Sequence, residues 1–147
     1  MAKDRTTHAP GLLQPVEAPT ARFDCWTMDF ITDLPESYGF NCIFTCVEKL
    51  SKYVVVVPCR MGDNALSASD VADLFFAHVV SRFGVPRSVL HDRNPRFTSS
   101  FLKQLWARLG TRVRLSTAFY PQSDGQTERA HRTIEQVLCC LLSDHNV

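Results

Sequence analysis

Residues 88–101 read SVLHDRNPRFTSSF and residues 116–136 read STAFYPQSDGQTERAHRTIEQ. Asp92 lies in the first stretch and Glu128 in the second, with thirty-five residues between them, and Asp29 lies upstream in WTMDFITDLP. Spacing alone is weak evidence, because ten Asp and five Glu in this chain produce such a pair by chance about one time in three. Each carboxylate, however, lies at the end of a predicted strand or the start of a predicted helix. Side chains from separate elements can converge on a metal there, so the three predict a metal site.

The composition predicts one globular domain. A chain of 147 residues can bury roughly two thirds of its unfolded surface, which suffices for a core without metal or disulfide crosslinks. A hydrophobic content of 45% with 21% charged residues excludes a disordered chain. No apolar run approaches the roughly 20 residues of a membrane span, and MAKDRTTHAPGLLQP lacks the apolar segment of a secretory signal. We therefore expect an intracellular protein that is neither secreted nor inserted in a membrane.

The cysteines support a reducing compartment. None of the six forms a CxxC pair or a Cys/His cluster with zinc spacing, since Cys42 and Cys46 lie on a strand-like stretch, Cys139 and Cys140 are neighbours, and Cys25 and Cys59 are isolated. We interpret all six as reduced packing residues. His78, in an otherwise apolar helix, is likewise interpreted as a packing or edge residue rather than a metal ligand.

Positive charge is concentrated around the second and third carboxylates. The formal net charge of +1 divides into −4 over residues 1–81, +7 over 82–132 and −2 over 133–147. Four arginines lie within a few residues of the carboxylates, namely Arg93, Arg96, Arg129 and Arg132. Considered without the carboxylates, these arginines would be explained by a solvent-exposed helix face on which Glu128 pairs with Arg132. Beside a carboxylate cluster they better fit attraction for a polyanionic substrate.

The periodicity of the chain predicts a tether followed by an α/β domain. Residues 1–22, with three prolines, are predicted to be an extended tether, and the domain 23–147 begins at about Phe23. Alternation and turn signals predict strands over 26–32, 41–48, 53–59, 87–90 and 111–116. Helical spacing predicts helices over 65–83 and 99–109 and a last helix from about residue 124. The expected order is three strands, helix, strand, helix, strand, helix.

Two helix faces follow from this pattern. Phe101, Leu102, Leu105 and Leu109 are predicted to share the buried face of the second helix, which Gly110 ends. The last helix is predicted to bury a stripe that includes Ile134 and to expose Glu128, Arg132 and Glu135. Considered alone, Glu128 is also explained as an acidic residue near the start of a helix, where the helix dipole favours negative charge.

Several separate strings resemble one family. GLLQP, WTMDFITDLPES, EKLSKY, HDRNPRFTSSF, LGTRVRLSTAFYPQSDGQTER and HRTIEQVL occur in this order within about residues 11–142. They resemble the integrase catalytic core of Gypsy-type long-terminal-repeat retrotransposons, which is similar to retroviral integrase. The resemblance implies a ribonuclease H-like fold, an α/β domain whose five-stranded mixed sheet has three antiparallel strands first, two parallel strands after, and flanking helices.

The resemblance also implies the chemistry. The acidic triad of the family falls on Asp29, Asp92 and Glu128, which would be both the catalytic residues and the metal ligands. Two Mg²⁺ or Mn²⁺ ions would activate the attacking oxygen and stabilise the leaving oxygen. The attacker would be water when an element's 3′ end is trimmed and the resulting 3′-hydroxyl when that end is joined to target DNA. The expected enzyme is therefore a metal-dependent DNA strand transferase and endonuclease.

Residues around the triad are expected to contact DNA, both element ends and target. They are Arg93, Asn94, Arg96, Tyr120, Gln122, Ser123, Arg129 and Arg132. The chain departs from the family pattern at His91 (commonly Ser), Asn94 and Glu48 (commonly Asp), and Phe119-Tyr120 (commonly Tyr-His). None of these changes removes a metal ligand. Tyr120 would have to supply any hydroxyl contact that Phe119 cannot make.

The resemblance further implies context and alternatives. Neither the zinc-binding module nor the C-terminal domain of a full integrase is recognisable in this sequence. We expect the full integrase to act in the nucleus and to form a homodimer or higher oligomer. Apolar residues within 99–109 or 137–142 are candidates for a dimer surface. Two alternatives stay open: a nuclease of the same fold acting on RNA in hybrids, and a catalytically inactive, element-derived DNA-binding or protein-interaction remnant.

Overall fold

The computed structural model describes residues 19–62, 66–116, 129 and 132–136. The strands are β1 (Cys25–Ile31), β2 (Cys42–Glu48), β3 (Val54–Cys59), β4 (Ser88–His91) and β5 (Arg112–Leu115). The helices are α1 (Ala68–Phe75), which continues through a π-helical turn (Phe76–Val80) into α2 (Ser81–Phe83), and α3 (Ser100–Leu109). Each predicted strand is present within two residues of its expected bounds.

The five strands form one mixed sheet in the order β3-β2-β1-β4-β5. β1 pairs with β2, and β2 with β3, in antiparallel register. β4 enters beside β1 in parallel, and β5 lies parallel to β4 at the far edge. Three antiparallel strands followed by two parallel strands is the topology that the resemblance implied. Because β1 and β4 are parallel neighbours, their carboxyl ends meet at the same end of the sheet.

One face of the sheet packs against α1 and α3. Residues on this face alternate along each strand, as the period of two requires, and β1 supplies Trp26, Met28 and Phe30. An aromatic contact joins the two helices: the rings of Phe75 on α1 and Trp106 on α3 meet edge to face with centroids 5.1 Å apart. The side chains on this face belong to the hydrophobic core.

The first helix starts later than its periodicity predicted. Its N-cap is Ser67, whose side chain accepts a hydrogen bond from the backbone of Asp70 while the Asp70 carboxylate accepts from the Ser67 backbone. This reciprocal capping box satisfies helix donors that would otherwise lack partners, and so it places the first helical residue at Ala68 rather than residue 65. At the other end, Gly84 with φ of 85° breaks the helix before Pro86, as expected.

The buried face of α3 differs from the prediction. Leu102 is buried as expected, but Phe101 is 49% exposed, and Trp106 rather than Phe101 fills the core. The N-cap is Ser99 and the C-cap is Gly110 in the left-handed conformation. Once those ends are set, Leu102 and Trp106 project on the sheet-facing side, because residues four apart share a face. Phe101 is then an exposed apolar residue in the segment predicted to include a dimer surface.

The part of the chain that the structure describes tests some of the remaining predictions. Cys25, Cys42, Cys46 and Cys59 are buried and unbridged, as expected, whereas Cys139 and Cys140 lie outside the described residues. Residues 129 and 132–136 are helical, with Ile134 less exposed than its polar neighbours. The tether lies outside the described residues as far as residue 18. Among the described helices, none has the length and apolar character needed to cross a membrane.

Candidate metal and nucleic-acid site

The sheet brings two of the three predicted carboxylates together. β1 and β4 pair in parallel, and the last register pair is Thr27 with Leu90. Continued by two residues, this register sets Asp29 beside Asp92 at the carboxyl ends of the two strands. Neighbouring strands lie about 4.8 Å apart, and residues paired in register project from the same face. The register therefore directs both carboxylates to the same end of the sheet, on the face opposite α1 and α3.

Asp29 is held on a rigid strand. It is half-buried near the end of β1, where Thr45 is its register partner on β2. The Thr45 hydroxyl donates to the Asp29 carbonyl at 3.2 Å, which ties the backbone of the carboxylate to the neighbouring strand. The backbone N–H of Phe30 donates to Oδ1 of Asp29 at 2.7 Å. This hydrogen bond fixes the orientation of the carboxylate.

Asp92 lies in a loop shaped by its own side chain. The backbone N–H of Asn94 donates to Oδ1 of Asp92 at 3.0 Å, and the N–H of Arg96 donates to Oδ1 of Asn94 at 3.1 Å. These are two consecutive Asx-type turns, which explains why Asp and Asn occur two residues apart after the strand. Phe97 then anchors the loop, since its ring stacks on Phe30 with centroids 5.1 Å apart. Asp92 is left exposed on an ordered loop.

His91 supports this loop from inside. Its Nδ1 lies 2.7 Å from the carbonyl oxygen of Asp92, so Nδ1 carries the proton and donates. Burial lowers the pKa of His91, and the hydrogen bond and the negative charge of Asp92 offset only part of that effect. Its Nε2 is buried without a hydrogen-bond partner in the described part of the chain. A histidine at this position therefore acts as a neutral buried support for the loop.

The predicted DNA contacts differ in their surroundings. Arg93 is exposed next to Asp92, and Arg129 and Arg132 are exposed on a helical segment, so a phosphate backbone can reach all three. Arg96 is half-buried, and its Nε donates to the Leu66 carbonyl at 3.3 Å. Asn94 uses its side-chain oxygen within the loop. The structure thus gives Arg96 and Asn94 local structural roles, and their contact with DNA stays a prediction.

The remaining predicted site residues lie outside the described residues. They are Glu128 among the carboxylates and Tyr120, Gln122 and Ser123 among the DNA contacts. Within 19–62, 66–116, 129 and 132–136, no three His, Cys, Asp or Glu side chains group closely enough to hold a metal ion. Glu128 lies outside these residues, so only the first two carboxylates of the predicted triad can be located in the structure.

Two residues near the candidate site were not predicted from the sequence. Thr45 lies beside Asp29, and Ser116, which follows β5, lies beside Asp92 when the register is continued in the same way. The Ser116 N–H donates to the His91 carbonyl at 2.8 Å, which extends the ladder to the site. Threonine and serine in or after a strand carry no distinct signal, since such residues are common in strands. Only the pairing register reveals that they share a row with the carboxylates.

The paired carboxylates fit a divalent cation. Two anions side by side repel each other, and a cation between them removes that cost. Carboxylate oxygens are hard ligands that suit Mg²⁺ or Mn²⁺ better than zinc. Asp92 is exposed and Asp29 is half-buried, so an ion can reach both. The donor set therefore agrees with the predicted metal site.

Comparisons with known proteins point to one family. The family profile described as the integrase core domain matches residues 19–121. The transposon Tf2-3 and Tf2-4 polyproteins of Schizosaccharomyces pombe are each 36% identical over 143 residues, which is 97% of this chain and 10% of each polyprotein. The chain thus spans about a tenth of the length of the curated relatives it matches.

Solved structures share the fold. The catalytic core domain of BIV integrase superposes with a TM-score of 0.65 at 24% identity, covering 83% of this chain and 73% of that one. The HTLV-2 integrase catalytic core domain, solved as a dimeric form in complex with magnesium, superposes with a TM-score of 0.63 at 18% identity, covering 85% and 76%. At these identities the likeness establishes the fold.

Proposed function

The chain belongs to the integrase core domain family, and on that premise we propose that it is the polynucleotidyl transferase core of a retrotransposon integrase. The reaction would be metal-dependent trimming of a DNA 3′ end followed by its transfer to target DNA. The observation that supports the proposal is the parallel register of β1 and β4, whose continuation by two residues would set Asp29 beside Asp92. Two carboxylates that are 63 residues apart in the sequence have no structural need to meet there.

Asp29, Asp92 and Glu128 would hold two Mg²⁺ or Mn²⁺ ions. When bound, such ions activate the attacking oxygen and stabilise the leaving oxygen of a phosphoryl transfer. The protein's part is to present ionised carboxylates at fixed positions. The strand backbone does this for Asp29, and the turn that Asn94 closes does it for Asp92. Because the carboxylates serve as metal ligands, no covalent protein intermediate is needed.

DNA would be attracted by the basic segment around the site. Residues 82–132 carry a formal charge of +7, and Arg93 is exposed beside Asp92. Arginine forks suit phosphate oxygens, so Arg93, Arg129 and Arg132 would contact the backbone without reading sequence. Each such contact releases counterions, so binding by this core would weaken steeply with salt. The HTLV-2 core was solved as a dimer, and we propose self-association for the full integrase and action in the nucleus.

The test is titration of the purified chain with Mg²⁺ and Mn²⁺ by calorimetry, followed by cleavage of a branched DNA substrate. Wild type should bind metal and cleave only in its presence. Asp92→Asn should lower metal affinity more than tenfold and abolish cleavage, since it removes a charged ligand. The matched control is Asp73→Asn, which changes an exposed aspartate on α1 and should leave both measurements unchanged.

Two outcomes would contradict the proposal. If wild type shows neither metal binding nor metal-dependent cleavage, the chain is an inactive, element-derived remnant. If cleavage persists in Asp92→Asn at the wild-type rate, the site is elsewhere. DNA binding is a separate measurement: Arg93→Gln should weaken binding and reduce the salt slope by about one unit, because one phosphate contact is lost.

A further inference from the structure

Two buried cysteines face each other across the β2–β3 hairpin. Cys42 is the first residue of β2, Cys59 is the last residue of β3, and the two are register partners. Residues directly opposite in an antiparallel pair have Cα atoms about 4.5 to 5.5 Å apart. A disulfide needs a Cα separation of about 4.4 to 6.8 Å, so the backbone already meets this requirement. Both side chains lie in the core, at 1% and 4% exposure.

The thiols are already in contact. The Cys42 thiol donates a hydrogen bond to the sulfur of Cys59, and the Cys59 thiol donates to the Val57 carbonyl at 3.1 Å. The hydrogen bond from Cys42 lowers the pKa of Cys59 despite the opposing effect of burial. The same hydrogen bond, together with burial, raises the pKa of Cys42. Cys59 is the last residue of the edge strand β3, so an oxidant reaches its sulfur first, and the thiolate is the reactive form.

The other described cysteines have no such partner. Cys46 lies four residues further along β2, opposite Val55 on β3 and Met28 on β1. Cys25 pairs with Ser88. Among the four cysteines that the structure describes, Cys42 and Cys59 are thus the two that face each other in register.

We propose that Cys42 and Cys59 form a reversible disulfide when the protein meets a peroxide oxidant. The Cys59 thiolate attacks one peroxide oxygen, the O–O bond breaks, and water leaves after protonation, so that Cys59 becomes a sulfenic acid. The Cys42 sulfur then attacks the Cys59 sulfur, forming the S–S bond and releasing a second water. Two thiols have lost two electrons and two protons, and one peroxide has become two waters. A dithiol reductant reverses the reaction by exchange.

The location of the pair connects it with the candidate site. Ile31 of β1 is opposite Ile43 of β2, so Cys42 lies at the same end of the sheet as Asp29. The charge of Arg96 is close enough to act on the Cys42 thiol. Arg96 also belongs to the loop that follows Asp92. Because β3 is an edge strand and Cys59 is its last residue, local fraying of this end gives a small oxidant access to the sulfur.

The test is disulfide mapping of the full wild-type chain. Reduced protein is exposed to graded hydrogen peroxide, remaining thiols are alkylated, and non-reduced peptides are analysed by mass spectrometry. The expected product is a Cys42–Cys59 linked peptide, about 2 Da lighter than its two reduced halves and lost on treatment with a dithiol. This linked peptide should form at a lower hydrogen peroxide concentration than any disulfide that involves Cys46. The experiment needs neither metal nor DNA, so its result is independent of the proposed catalysis.

Matched variants sharpen the result. Cys46→Ala changes a buried cysteine on the same strand and should leave the Cys42–Cys59 peptide unchanged. Cys59→Ser should abolish it, and if that variant does not fold, Cys42→Ala provides the same test from the other side. The proposal is overturned if Cys42 and Cys59 stay alkylatable at peroxide levels that oxidise the other cysteines, or if either links preferentially to a different cysteine.

Discussion

Replacing Glu48 with glutamine removes a buried negative charge without changing the shape of the side chain. Glu48 ends β2 and is fully buried. Its Oε1 accepts from the Leu50 N–H at 3.0 Å, and its Oε2 accepts from both the N–H and the hydroxyl of Ser51. The N–H of Phe23 donates to the same carboxylate. One side chain thus joins the β2–β3 turn to the residue at which the domain was predicted to begin.

The magnitude follows from these hydrogen bonds. A hydrogen bond to a charged group contributes about 1.5 to 3 kcal/mol, against about 1 kcal/mol for a neutral one. Glutamine keeps one acceptor oxygen, which can retain the Ser51 bonds in weaker form. Its amide NH₂ then faces the Leu50 N–H, and that bond is lost. Relief of the cost of burying a charge offsets part of this loss, so we expect a net destabilisation of about 2 to 3 kcal/mol.

Urea denaturation at neutral pH measures the effect, with Glu36→Gln as the matched control because Glu36 is exposed. A loss of this size corresponds to a fall in Tm of about 6 to 10 °C for a domain of this length. The control should stay within about 0.5 kcal/mol of wild type. Equal stability of Glu48→Gln and wild type would refute the reasoning, since it would mean that the buried carboxylate contributes nothing beyond its shape.

The pH dependence provides a second check on Glu48. Burial raises the pKa of Glu48, but the hydrogen bonds from Ser51, Leu50 and Phe23 outweigh it and hold the pKa below its ordinary value of 4.5. The unfolded chain therefore binds the proton more readily than the folded chain does. The stabilisation that ionised Glu48 contributes is fully present above about pH 4.5. It is lost as the pH falls through the lower pKa of Glu48 in the folded state. The gap between wild type and Glu48→Gln should narrow over that acidic range.

Substitutions at three further positions test the fold and the site. Trp106→Phe should cost less than about 1.5 kcal/mol in urea denaturation, because it removes a buried Nε1–H that has no partner in the described part of the chain, whereas Trp106→Ala should cost about 3 to 5 kcal/mol. Gly110→Ala should cost about 1 to 2 kcal/mol, since its φ of 70° suits glycine, and equal stability would contradict the left-handed cap. Thr45→Val should lose about 1 kcal/mol with its hydrogen bond to the Asp29 carbonyl and should lower metal affinity in the same calorimetric titration; unchanged affinity would show that this bond does not position Asp29.

Local patterns in the chain were sufficient for its elements and for the residue types of its site. Strand alternation, glycine stops and serine caps act within a few residues, so β1 to β5 and α3 lie close to their predicted bounds. The resemblance added the arrangement of the strands, three antiparallel and two parallel, and the assignment of Asp29 and Asp92 to one acidic triad. The prediction of the buried face of α3 was wrong because more than one set of apolar residues fits a helical face. Phe101 and Trp106 both fit an apolar face, and only the position of α3 against the sheet decided which was buried.

The sequence by itself determined an α/β domain, and it predicted a divalent-metal carboxylate site surrounded by basic residues. The tertiary structure alone decided which residues share a row: Thr45 and Ser116 with the two carboxylates, and Cys42 with Cys59. It also decided that Glu48 is a buried anchor. The physical reason is that strand register depends on contacts between residues far apart in the chain. A shift by one residue would move every side chain of a strand to the other face, and no local pattern specifies it completely.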